Sequence, residues 1–118
     1  MRKILFMPTA LCAAIGHAWG QEALSPEDIQ AGHKLAIIVC SNCHSAASDQ
    51  PEQPILRPPA PSFASIMQRK DVTADSLEIF METTHRDINN PKGMPNPQLL
   101  DFQIRQVVAY LLSLRNGR

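Results

Sequence analysis

Apolar residues recur at helical spacing toward the end of the chain. Ile104, Val107, Val108, Leu111 and Leu114 share one face, which predicts a helix over residues 100–114 that Asn116-Gly117 stops. Leu77, Phe80 and Met81 repeat the pattern, so a second helix is predicted from Thr73, a capping residue, to about residue 84. Ser25-Pro26-Glu27-Asp28 reads as another helix start. Ser25 can cap, Pro26 suits the first helical position, and the two acids favour the positive end of the helix dipole. That helix is predicted to continue through residues 29–39, and a short helical turn is expected over residues 62–68.

Between these segments the pattern breaks. Residues 45–61 hold Pro51, Pro54, Pro58, Pro59 and Pro61, a density that no regular helix survives, so an extended loop is expected. Asn89-Asn90-Pro91-Lys92-Gly93-Met94-Pro95-Asn96-Pro97 is a second irregular loop. No segment alternates convincingly as a strand, nothing repeats, and a chain this short makes one domain. Gly32 and Ala36 fall four apart on the first helix and form a small-residue stripe. A helical glycine costs about 1 kcal/mol against alanine, and here it is read as permitting close contact with another helix.

Charge narrows the function classes. Eleven basic residues balance eleven acidic ones, and the basic ones are scattered, so no nucleic-acid footprint is present. The first residues form a distinct unit: Arg2 and Lys3, then Ile4-Leu5-Phe6-Met7, then an apolar run from Ala10 to Ile15, and finally Ala18-Trp19-Gly20. A basic start, an apolar stretch and small residues at the cleavage positions predict a secretory signal over residues 1–20 and a mature domain over residues 21–118. A retained membrane anchor is the competing reading, but the run is shorter than the roughly 20 residues a spanning helix needs. Cys12 lies within the run, and Thr9 stands three positions before it where lipoprotein processing expects leucine, so it reads as a small hydrophobe lost on cleavage. The mature chain then keeps Cys40 and Cys43 as its cysteines and contains no tryptophan.

Those cysteines open Cys40-Ser41-Asn42-Cys43-His44, and C-x-x-C-H is the spacing covalent haem attachment requires. Each thiol can add to one vinyl group on the same edge of a porphyrin, and the imidazole is then held beneath the iron as an axial ligand. The C-x-x-C half alone also fits a thioredoxin-like redox pair, half of a zinc site or a local disulfide. A haem held by His44 has a second axial position, for which Met67, Met81, Met94, His33 and His85 are candidates. Met67 and Met81 lie in helical patterns and read as core fillers. His33 lies just ahead of the motif on the same helix, where its ring cannot easily reach the opposite face, and reads as a solvated surface histidine. His85 stands before the second loop and is a chemically competent ligand. Met94 sits in that loop between Gly93, which allows close backbone approach, and Pro95, which stiffens the chain, so it can be presented to iron as a strap.

These features together resemble the class I c-type cytochromes, the small single-haem bacterial kind. The likeness is carried by Gly32 and Ala36 before the cysteine motif, Pro58-Pro59-Ala60-Pro61-Ser62-Phe63 after it, Gly93-Met94-Pro95-Asn96-Pro97, and Val107-Val108-Ala109-Tyr110-Leu111-Leu112-Ser113-Leu114. It spans almost the whole mature chain, in the family's order. The resemblance implies an all-α cytochrome c fold of about four helices around one covalent haem c, with the terminal helices crossing near Gly32 and Tyr110. It implies Cys40 and Cys43 as thioethers and His44 and Met94 as iron ligands. It also implies a proline carbonyl, matched best by Pro58 or Pro59, accepting the N–H of the His44 ring. Ala36 stands where relatives often carry an aromatic residue, and the tryptophan many relatives place near a propionate is missing.

The expected function is periplasmic transfer of single electrons between redox proteins, such as a dehydrogenase and an oxidase, by transient docking. No bond-making enzymatic chemistry, nucleic acid or stable membrane insertion is expected, and the chain is expected as a monomer or as part of a small enzyme complex. The alternative is a haem protein with a labile sixth site, acting as a gas sensor or weak peroxidase.

Overall fold

A computed structural model describes residues 24–87 and 89–117. The expected signal segment lies outside the described residues. Helix α1, Pro26–Leu35, begins as its first residues dictate: the Ser25 hydroxyl accepts from the Asp28 N–H at 3.2 Å, and Glu27 and Asp28 occupy the first turn. The sequence predicts an unbroken helix to residue 39, but the α-helix gives way at Ala36–Cys40 to a π-helical turn. One extra residue per turn is accommodated there, a change often found at functional sites. Ser41 then donates from its hydroxyl to the Ile37 carbonyl at 2.5 Å, closing the turn.

The proline-rich segment is irregular, as its composition requires, and it folds back onto the cysteine motif. Ile55 and Leu56 donate their N–H groups to the Asn42 carbonyl at 2.9 and 3.2 Å, Ala60 to that of Cys43 at 2.8 Å, and Phe63 to that of Ser45 at 3.0 Å. Among the described residues the β-structure is a single parallel bridge between His44 and Ala60. Helix α2, Phe63–Ile66, follows with Ser62 as its cap. Helix α3, Ala74–Glu82, starts with a reciprocal capping box in which Thr73 and Ser76 exchange backbone and hydroxyl bonds. Helix α4, Asp101–Asn116, has the Gln103 side chain reaching back to the Leu100 N–H at 3.0 Å and Gly117 after its last turn.

The core is built on α4. Ile104, Val107, Val108, Tyr110 and Leu111 are buried together with Ala36, Phe63, Met67, Val72 and Met81. Helix α4 packs against α1, α3 and α2. The α1–α4 crossing is close at Gly32: a Cβ there would lie 1.9 Å from the Gln106 carbonyl oxygen and 3.0 Å from Tyr110 Cβ. This is the helix contact that the small-residue stripe anticipated. Arg115 ties the far end together, donating to the carbonyls of Met67, Arg69 and Val72 at 3.1, 3.2 and 2.9 Å. Among the described residues no helix is long and apolar enough to cross a membrane.

Candidate functional site

The π-helical turn delivers Cys40, and the Cys40 carbonyl then winds the motif by accepting from both Cys43 N–H (3.1 Å) and His44 N–H (2.9 Å). Cys40 and Cys43 are half-buried free thiols. Burial, with the neighbouring Cys43 adding to it, pushes the Cys40 thiol up to about 11. A redox-active C-x-x-C pair needs the opposite shift. Among the described residues no group of three or more His, Cys, Asp or Glu is placed to hold a metal ion.

His44 is oriented by its Nδ1, which lies 2.7 Å from the Pro61 carbonyl oxygen and donates to it. The imidazole is thereby fixed in one tautomer, with Nε2 left as the ligating nitrogen. The resemblance implied Pro58 or Pro59 for this carbonyl; the residue that supplies it is Pro61, not Pro59. The reason is backbone register. Along Pro58-Pro59-Ala60-Pro61 only Ala60 has an N–H, and its bond to the Cys43 carbonyl fixes which residue falls beside the ring. The other side of His44 faces Phe63, with ring centroids 5.4 Å apart.

The remaining candidate ligands separate cleanly. Met67 and Met81 are buried in the core, as their helical spacing predicted. His33 differs from its expected solvated state: its Nε2 donates to Asp49 at 2.8 Å, and its ring meets Tyr110 edge-on at 5.1 Å. That contact supplies Tyr110 with an aromatic neighbour from α1, where Ala36 itself is small and fully buried. His85 stacks on Phe80 at 3.7 Å, and its Nε2 lies 3.1 Å from both the Phe80 carbonyl and the Thr83 hydroxyl. Its Nε2 is therefore already engaged within the protein.

Met94 is half-buried against the edge of the core. Its carbonyl accepts from the His85 N–H at 2.9 Å, and the Asn90 side-chain amide donates to the His85 carbonyl at 2.8 Å. Gly93 is compulsory here, since a Cβ would stand 1.7 Å from the His85 carbonyl oxygen. Beyond Met94, Asn96 reaches α3 through the Glu82 carbonyl at 3.0 Å.

The donor set fits a covalently attached haem: two unpaired thiols at the right spacing and an imidazole with one nitrogen committed. Large apolar side chains also stand exposed beside the motif, at Ile38 and Val39 before it and at Ile55 and Leu56 on the segment bonded to Asn42. The polypeptide leaves them to water, a state that an apolar disc laid against the motif would relieve.

Comparison with known proteins agrees with this chemistry. The cytochrome c family model matches residues 21–115. A cytochrome c-552 of Bradyrhizobium diazoefficiens is 30% identical over 105 residues, covering 89% of this chain and 92% of the relative. No solved structure matches the chain.

Proposed function

The chain belongs to the cytochrome c family, whose members bind covalent haem c with its iron, and we propose that it is a periplasmic carrier using His44 and Met94 as axial ligands. Bound haem supplies a one-electron ferric/ferrous couple. Cys40 and Cys43 anchor the porphyrin as thioethers, and the Pro61 carbonyl holds the His44 ring and raises its basicity. Met94 offers a soft thioether, which favours the ferrous state and raises the potential. Donor and acceptor are redox proteins docking through small, weak interfaces, typically under ~1,200 Å² in total. Without a dense lysine patch, charge steering is modest. Export to the periplasm rests on residues 1–20 acting as a cleaved signal, and the protein itself catalyses no bond-making step.

The observation that carries the axial assignment is the fate of the competitors. Met67 and Met81 are committed to the core and His85 to Phe80 and Thr83, whereas Met94 sits in a braced loop outside any helix. The test is Met94→Ala in the purified holoprotein, read by oxidised and reduced optical spectra with a pyridine haemochrome assay. Loss of the thioether-to-iron charge-transfer band and a lowered potential are expected. An unchanged ferric spectrum and potential would remove Met94 as the ligand, and rapid CO binding by the native reduced protein would favour a labile sixth site instead.

A further inference from the structure

Between α3 and α4 the chain has no regular structure, and beyond Met94 it has few ways to hold itself. Pro95 and Pro97 carry no N–H, so Asn96 is the one residue of that three-residue stretch with donors. Its side chain uses both ends. The amide nitrogen donates to the Glu82 carbonyl at 3.0 Å, across 14 positions of sequence, and the amide oxygen accepts from the Gln98 N–H at 2.7 Å. Only one orientation of the amide serves both partners, because a flip would set oxygen against oxygen and nitrogen against nitrogen.

Both partners need the bond. Glu82 is the last residue of α3, and its carbonyl is among those that a helix end leaves without an internal partner. Gln98 has φ of 55°, in the left-handed region where a non-glycine residue requires support. The Asn90 amide, by contrast, bonds within the loop and stiffens it without tying it to a helix through that bond.

We propose that Asn96 is the positioning residue that keeps the Met94 thioether on the iron, by clamping the segment after Met94 to the end of α3. The inference rests on the reading of Met94 as the sixth ligand. On the near side Met94 is held by the His85 N–H; on the far side Asn96 completes the hold, so the sulfur is carried by a strap fastened at both ends. With the Asn96 bond lost, the strap swings from the His85 side alone and the detached state becomes more populated. A hydrogen bond of this kind changes that population about two- to tenfold.

The test compares wild type, Asn96→Ala, Asn96→Asp and Met94→Ala as holoproteins, each first checked for attached haem and helical content. Two quantities are read: the pH at which the ferric thioether charge-transfer band is lost, and the rate of CO binding to the reduced protein, which requires the sulfur to leave. Asn96→Asp keeps an acceptor for the Gln98 N–H but replaces the donor to Glu82 with an oxygen, so it separates the two roles. Both Asn96 variants are expected to lose the band at lower pH and to bind CO about two- to tenfold faster than wild type. Wild-type behaviour of Asn96→Ala, with the band abolished in Met94→Ala, overturns the clamp while leaving the ligand assignment intact. Wild-type behaviour of Asn96→Asp overturns the tie to α3. A band that survives Met94→Ala overturns both readings together.

Discussion

Gly32→Ala tests the helix crossing on which the domain closes. The new Cβ would lie 1.9 Å from the Gln106 carbonyl oxygen and 2.5 Å from its carbon, both backbone atoms that no rotamer change can move. A comfortable C–H···O contact begins at about 3.3 Å, so α1 and α4 must separate by about 1.4 Å. Overpacking of this sort costs about 1–3 kcal/mol, and a clash with no side-chain escape belongs at the top of that range. Against it stands the gain of about 1 kcal/mol from replacing a helical glycine by alanine. The net is a loss of about 2 kcal/mol, which for a domain of this size lowers Tm by about 8–16 °C. Thermal unfolding of the holoprotein, followed at the haem absorption and by far-UV circular dichroism, measures it. Gly117→Ala is the control, because its Cβ would meet only the Ser113 carbonyl oxygen at an ordinary 3.4 Å. The sign decides: an equal or higher Tm for Gly32→Ala refutes the close-contact reasoning, since the propensity term would then be acting unopposed.

Arg115→Lys is expected to lower stability by about 1–3 kcal/mol, because one ammonium cannot reproduce the guanidinium fork that meets three carbonyls; an unchanged urea midpoint would discount that fork. The hydrogen bond from His33 holds the Asp49 carboxyl below the usual aspartate range, so its folded value lies beneath its unfolded one. The resulting stability is present above the ordinary aspartate value and fades as pH falls through the folded value. Asp49→Asn should therefore flatten part of the acid limb of the Tm–pH curve, and parallel curves for the two proteins would count against the pairing. Cys40→Ser combined with Cys43→Ser should yield a largely unfolded or degraded chain, since the loop of residues 45–61 is expected to need haem to wrap around. A stable, fully helical double variant lacking haem, seen by circular dichroism, would contradict this.

The helices were legible because their signals are local. Ser25 and Thr73 cap where their short polar side chains suit an exposed amide, and the α4 stripe repeats long enough to define a face. Gly32 could be read as a contact because a helical glycine costs stability unless something demands it. The π-helical turn was not legible, since five residues cannot distinguish its period from that of an α-helix. Pro61 was missed in favour of Pro58 or Pro59 because the prolines look alike, although Ala60, the only donor among them, was a usable clue. His33 was misjudged because its partners, Asp49 and Tyr110, are 16 and 77 positions away. Asn96 lies within the second irregular loop that the sequence predicts, but nothing in the sequence ties it to Glu82.

The crossing of α1 and α4 also orders events in time. Gln106 donates to Asp28 at 3.4 Å across 78 positions, so the first helix waits for the final stretch of polypeptide before it gains its partner. A free helix of 10 residues is marginal in water. The amino-terminal helix is therefore among the last elements to settle, and whatever the rest of the chain has formed by then must leave its face on α4 open.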